Sequence, residues 1–246
     1  VKILTLNTWQ ERGFWDKRWE VIFDGLKGFS PEIAVFQELF SPSWAREVQQ
    51  RAGFKNLVLS KEPCGLAIYT NYPVLASGEL LLFQSPAESY PRGVIWAKVD
   101  AKKHPLFVFC THLSWKEEDA ESRRKQLREI LALIRQETPS GELLIAGDFN
   151  AAPISPEMDS FVKQGPFRDL YREKHPSEEG FTWDNKRNYY VAQSIHKLPD
   201  RRIDCVFACG KGPVLAKLAS CDLIFEEPRA DGVLASDHFG VLAKFK

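Results

Sequence analysis

Ser236-Asp237-His238 runs directly into the apolar segment Phe239 to Phe245, and Gly147-Asp148-Phe149-Asn150 follows directly on Leu143 to Ala146. The theme recurs. Asn7 ends the run Lys2 to Leu6, Gln37-Glu38 ends Ile33 to Phe36, Thr111-His112 ends Leu106 to Cys110, and Asp204 interrupts Ile203 to Phe207. Short runs of apolar, β-branched and aromatic residues between polar or turn residues read as strands buried on both faces. One polar residue at one strand end signifies nothing. Carboxylates, amides and imidazoles repeated at strand ends can be held rigidly around a single point.

A phosphodiester resists hydrolysis because its anionic oxygens repel a nucleophile and its leaving alkoxide is poor. Cleavage calls for a cation on the phosphate or leaving oxygen, a base for water, and donors for the equatorial oxygens. Glu38 offers only oxygen, and oxygen-only ligands select a hard cation, Mg²⁺ or Mn²⁺. Asp148 and Asn150 are two positions apart, so an extended backbone would point both the same way, a carboxylate for water beside an amide for an oxygen. Asp237 and His238 are adjacent, so a bend must bring both inward. Asp204 is suited to fix the tautomer of His238 and raise its basicity; the alternative is a salt bridge to Arg201 or Arg202. His112 would donate to the phosphate, although a strand-end histidine by itself is more often merely hydrogen-bonded.

These residues need a scaffold. Trp19, Ile22, Phe23 and Leu26 recur at helical spacing, with Gly28 expected to stop the helix. Ser41-Pro42-Ser43-Trp44 opens a short helix with proline in its first turn. Strands at Gly65–Thr70, Val74–Phe83 and Gly93–Val99 read as antiparallel hairpins. Leu127, Ile130, Leu131 and Ile134 form the apolar stripe of a surface helix, and Ser155-Pro156-Glu157 starts another. From Gly165 to Asp200 there is little periodicity, as in a long functional loop, within which Trp183 either plugs the fold or meets substrate. Runs near Ile203, Leu215 and Val241 close the fold. The pattern suggests an α/β (α+β) fold, a four-layer α/β/β/α sandwich of two packed mixed sheets with helices outside. The site would lie along an edge where the sheets meet.

The 246 residues suit one domain spanning 1–246, because no linker or repeat divides them and Asn7 and His238 must meet. Basic and acidic residues cancel at 33 each, which disfavours extensive non-specific DNA binding but leaves room for a local basic rim. The five cysteines form no C-x-x-C pair and read as buried thiols in reducing surroundings rather than disulfides or a zinc site. No apolar run approaches the roughly 20 residues of a membrane span. The expectation is a soluble monomer, cytoplasmic rather than exported, although Val1 already lies in a strand and implies a trimmed start that leaves export open. Trp9, Phe14 and Trp15 read as exposed aromatics, suited to stacking on a splayed base or dipping into a membrane interface.

In order, spacing and strand context, Asn7, Gln37-Glu38, Thr111-His112-Leu113, Gly147-Asp148-Phe149-Asn150, Arg202-Ile203-Asp204 and Ser236-Asp237-His238 resemble the motifs of the endonuclease/exonuclease/phosphatase superfamily. The resemblance covers almost the whole chain. It implies the four-layer sandwich and Mg²⁺-dependent phosphoester cleavage without a covalent intermediate. It implies Glu38 as the main metal ligand, helped by Asp237, and Asn7, Asn150 and His112 as phosphate and metal-shell contacts. Asp148 resembles the residue that aligns or deprotonates water or protonates the leaving group. His238 with Asp204 resembles the family's His–Asp pair, as a base or as a transition-state donor.

Branch markers divide. Ala151 and Ala152 stand where inositol polyphosphate 5-phosphatases carry arginine. His112 stands where apurinic-site endonucleases carry tyrosine, and is similar to neutral sphingomyelinases and tyrosyl-DNA 5′-phosphodiesterases. Gly65 to Pro73 and Glu178-Glu179-Gly180 look sphingomyelinase-like. Phe181 to Asn185 is similar to loops of bacterial members and of the tyrosyl-DNA enzymes, with Trp183 as a candidate substrate contact. The expected activity is a divalent-metal-dependent phosphodiesterase acting through directly activated water on a nucleic-acid end or a phospholipid headgroup. The alternatives are a phosphomonoesterase of the same superfamily and a non-catalytic binding module.

Overall fold

β-branched and aromatic residues fit a pleated surface covered on both faces, and the expected runs do form strands. The computed structural model describes residues 1–246 except 87, 139, 140 and 211. In chain order the elements are β1 (Lys2–Asn7), α1 (Trp15–Phe29), β2 (Ile33–Gln37), α2 (Pro42–Ala52), β3 (Asn56–Leu59), β4 (Ala67–Thr70), β5 (Val74–Leu81), β6 (Gly93–Ala101), β7 (His104–His112), α3 (Ala120–Glu137) and β8 (Glu142–Asp148). They continue with α4 (Pro156–Gln164), β9 (Arg168–Asp169), α5 (Leu170–Lys174), α6 (Tyr189–Ala192), β10 (Asp204–Cys209), β11 (Leu218–Ile224) and β12 (Gly240–Phe245).

The strands make two six-stranded mixed sheets, ordered β11-β12-β1-β2-β4-β3 and β5-β6-β7-β8-β10-β9. Each sheet has a parallel pair, β1 with β2 and β7 with β8, and parallel partners need a crossover, here α1 and α3. A parallel pair ends both strands at the same edge. The antiparallel neighbours β12 and β10 start at that edge. Register then lays His112, Asp148 and Asp204 in one row of the second sheet and Asn7 beside Gln37 in the first.

Between the sheets lie Ile3, Val35, Ile68, Val108, Leu144 and Val206. α1 and α2 cover the first sheet with Trp19, Ile22, Leu26 and Val48 against Leu4 and Phe36. α3 and α4 cover the second with Leu127, Ile130, Met158 and Phe161 against Phe109 and Phe207. Burying each such side chain contributes about 1.5–3 kcal/mol, whereas an exposed i,i+4 ion pair contributes about 0.3–0.5 kcal/mol. Packing therefore holds these helices in place. The result is the expected four-layer sandwich. Gln37, fully buried, bolts the sheets together by donating from Nε2 to Cys110 Sγ at 3.3 Å and Thr5 Oγ1 at 3.3 Å.

Several local expectations are corrected. α1 runs through Gly28 and ends at Ser30, in the left-handed region at φ +48°, ahead of Pro31; proline rather than glycine stops it, since the residue before a proline is pushed out of helical geometry. β4 and β5 do not form a hairpin but lie in different sheets, because alternation shows that a strand exists without showing which sheet it joins. Asp204 opens β10 rather than interrupting a strand. The stretch after Gly165 contains β9, α5 and α6, all too short to display a period. Of the three aromatics expected at the surface, Phe14 is 62% exposed, while Trp9 packs on Tyr190 and Trp15 on Trp44. All five cysteines are free, and Cys209 is the one that is not fully buried. Among the described residues, no helix is long and apolar enough to cross a membrane.

Candidate active site

The shared edge opens into a cavity of about 510 Å³ lined by every sequence-predicted site residue except Asp204. Asp204 lies behind the wall, fully buried, where its Oδ2 meets Nδ1 of His238 at 2.8 Å. The bend expected at Asp237 and His238 is present. The Nε2 of His238 is 4.0 Å from Asp148 Oδ2 and 4.0 Å from Asp237 Oδ1. Burial alone would lower its pKa, but Asp204, Asp237 and Asp148 outweigh burial and push it up to about 10. The imidazole is thus held as a cation among carboxylates. The salt-bridge alternative for Asp204 fails, because Arg202 is engaged by Asp169 at 2.8 and 2.6 Å and Arg201 forms no ion pair with a described residue.

Asp148 depends on a glycine. Gly147 has φ +146°, and a Cβ there would sit 2.1 Å from the Thr111 carbonyl oxygen. Asp148 Oδ1 accepts the Asn150 backbone N–H at 2.9 Å, and Oδ2 accepts Asn7 Nδ2 from the other sheet at 3.0 Å. Burial, then Asp204, raise its pKa. Asn150 is not on an extended backbone as expected: it has φ +50°, and its Nδ2 donates to the Leu113 carbonyl at 3.0 Å. A turn, rather than strand alternation, brings both residues to the cavity. His112 Nε2 lies 3.4 Å from Asp148 Oδ2. Burial, then Arg92 and His238, hold its pKa well below the ordinary imidazole range, so it is a neutral ring, with Nδ1 unpartnered.

Across the cavity stand Glu38 and Asp237. Glu38 has φ +60° and accepts from the Tyr90 hydroxyl at 3.3 Å. Asp237 accepts from the Ser236 hydroxyl at 3.2 Å. Burial, then repulsion from Glu38, overcome the pull of His238 and raise Asp237 to about 7. Among the described residues, neither carboxylate has a lysine or arginine at ion-pair distance. Among the described residues the one cation at ion-pair distance is His238, 4.0 Å from Asp237, and two oxygen ligands so placed fit a hard divalent cation. Asn7 Oδ1, beside them, accepts the Trp9 N–H at 3.0 Å and keeps a second lone pair. The tightest titratable cluster is Asp148, Asp204 and His238, whose ligand atoms lie within 4.8 Å of one another. Its closeness follows from the hydrogen bond that already occupies His238 Nδ1, so it reads as a triad.

Two supports were given no role from the sequence. Thr182 Oγ1 accepts the N–H groups of Ile203 and Asp204 at 3.0 and 3.1 Å, while its carbonyl accepts the Phe239 N–H at 2.9 Å. With Asn188 Nδ2 on the Ser236 carbonyl at 3.0 Å, this loop clamps both halves of the His–Asp pair. Arg18, buried, donates to the carbonyls of Thr8, Trp9, Gln10, Arg12 and Ala235, tying the loop after β1 to the segment before Asp237. Trp183 both plugs and lines the cavity, its ring edge-on to His238 at 5.2 Å between centroids.

The chain has relatives among known proteins. The Gallus gallus tyrosyl-DNA phosphodiesterase 2 is 24% identical over 221 residues, covering 88% of this chain and 58% of the relative. The Danio rerio protein of that name is 23% identical over 226 residues with the same coverage, so the chain spans less than two thirds of either relative. The fold matches a Danio rerio structure of this enzyme complexed with single-strand DNA product, with TM-score 0.84, 22% identity and coverage of 100% of this chain and 98% of that one. It also matches the beta toxin of Staphylococcus aureus, with TM-score 0.81, 18% identity and full coverage of both chains. The model of the Endonuclease/Exonuclease/phosphatase family matches residues 5–238, and the chain belongs to that family.

Proposed function

We propose that the chain is a divalent-metal-dependent phosphodiesterase acting on a nucleic-acid end. The observation that carries this reading is His238, held between Asp204, Asp148 and Asp237 and lining the same cavity as the carboxylate Glu38. Glu38 and Asp237, with Asn7 beside them, would hold Mg²⁺ or Mn²⁺. When bound, the ion neutralises charge on the phosphate and leaving oxygen. Asp148, fixed by Asn7 and Asn150, aligns water and takes its proton as the water oxygen bonds to phosphorus. The opposite phosphorus–oxygen bond breaks, leaving a phosphomonoester and an alcohol or phenol once the leaving oxygen is protonated. His238, oriented by Asp204, donates to a phosphate oxygen as negative charge grows, and His112 and Asn150 contact the remaining oxygens. Charged donors fixed beforehand in a site shielded from water stabilise a transition state without reorganising.

The single-strand DNA product held by the Danio rerio structure and the name of the curated relatives favour a nucleic-acid end over a phospholipid headgroup. Trp183, beside His238, is the proposed aromatic contact for a substrate ring. The test is a parallel panel of 5′-tyrosyl oligonucleotide, abasic duplex, sphingomyelin and inositol phosphates, with Mg²⁺ and then EDTA. Cleavage of a nucleic-acid substrate only with Mg²⁺ is expected. Preferential hydrolysis of sphingomyelin would overturn the substrate class, and EDTA-resistant cleavage would overturn the metal dependence.

A further inference from the structure

Arg201 and Arg202 are neighbours with opposite fates. Arg202 is buried, and its two terminal nitrogens are neutralised by Asp169. Arg201 lines the cavity, and its guanidinium makes no hydrogen bond or ion pair with a described residue. Its Nε is shut off from solvent without a partner. The backbone leaves it little freedom: Arg201 N–H donates to the Trp183 carbonyl at 2.9 Å, and its own carbonyl accepts from Thr182 and Trp183 at 3.1 and 3.0 Å. Trp183 in turn packs edge-on to His238. Arg201 is therefore anchored through its backbone to Trp183, whose indole packs on the imidazole of His238, and its guanidinium has no partner among the described residues.

We infer that Arg201 is the contact for a second phosphate of the substrate, the phosphodiester next along an oligonucleotide from the one cleaved. The inference rests on the nucleic-acid reading above and narrows it. Guanidinium is planar and carries paired donors that match phosphate oxygens, and no described residue engages the terminal nitrogens of Arg201, which leaves them for an acceptor in the cavity it lines. Phosphocholine-type substrates carry one phosphate and a cation, which an unpaired arginine would repel. A chain of nucleotides supplies the missing anion at the next linkage. Neutral net charge is no obstacle, since one placed cation rather than a general excess does the work.

The test uses thymidine 5′-p-nitrophenyl phosphate, with one phosphodiester, and the 5′-p-nitrophenyl ester of pTpT, with two, on wild type, Arg201→Gln and Arg201→Lys with Mg²⁺. Anisotropy with fluorescent pT and pTpT reads binding without turnover. In Arg201→Gln, KM and Kd should rise about tenfold more for the two-phosphate compound than for the one-phosphate compound, as expected for loss of one charge-assisted contact. Arg201→Lys should restore part of the preference. Equal losses on both compounds, or a wild type that does not prefer pTpT, would overturn the second-phosphate site. If wild type prefers pTpT yet hydrolyses neither ester, the subsite stands and the phosphodiesterase reading falls.

Discussion

The flank built by Asp148, His238 and Asp204 and the flank built by Glu38 and Asp237 satisfy their charges in opposite ways. On the first, each carboxylate meets a donor: Asn7 and Asn150 on Asp148, the imidazole on Asp204. On the second, a tyrosine and a serine hydroxyl are the direct donors, and burial, with repulsion from Glu38, raises the pKa of Asp237. On the first flank each carboxylate has a donor, although Asp204 Oδ1 is buried without one, and on the proposed reading the second flank takes an added cation. On the proposed reading, the site is rigid where protons would move and strained where an ion would bind.

The largest effect should come from the strained flank. Glu38→Gln keeps the shape and removes the charge, so kcat/KM should fall by about a thousandfold or more, several kcal/mol of transition-state stabilisation. Calorimetry should show Mg²⁺ affinity falling in parallel; unchanged affinity with full turnover would erase the distinction between the flanks. Asp148→Asn and His238→Ala should each lower kcat by about 10²–10⁴-fold with little change in KM. A rise in KM alone would make either residue a binding group.

Asp204→Asn should be milder than His238→Ala, because a neutral partner still orients the ring while stabilising an imidazolium less. In the double mutant, loss should hardly exceed that of His238→Ala, as for residues acting as one unit. Fully additive losses would separate the pair. Thr182→Val leaves the N–H groups of Ile203 and Asp204 unsatisfied and should cost about 1–3 kcal/mol of stability in denaturant melts, with kcat falling as His238 loses its register. Smallest is Asp237→Asn, which should raise Tm by about a few degrees in EDTA by removing a charge disfavoured first by burial and then by repulsion from Glu38, while weakening Mg²⁺ binding. A lowered Tm in EDTA would mean that this flank is not strained.

Much of the site was legible because strand ends are legible. Apolar runs declare themselves in sequence, and the polar residue after each is counted off directly, as with Asn7, Glu38, His112 and Asp148. Sheet membership was not legible, since β4 and β5 have the same alternation yet lie in different sheets. Conformations at positive φ were hidden too: Glu38 reaches the cavity through left-handed backbone that no propensity marks at glutamate, and asparagine's tolerance of that region does not say that Asn150 uses it. Thr182 and Arg18 act through backbone partners, and carbonyls leave no trace in a side-chain pattern.

Divalent-dependent hydrolysis at one cavity underlies every role proposed for these residues. It is tested most directly by following p-nitrophenol release from bis-p-nitrophenyl phosphate by wild type and His238→Ala. Wild type should turn over with Mg²⁺, stop in EDTA and recover when Mg²⁺ is added back, and His238→Ala should lose at least about a hundredfold in kcat. Turnover that ignores EDTA, or survives intact without His238, would contradict it.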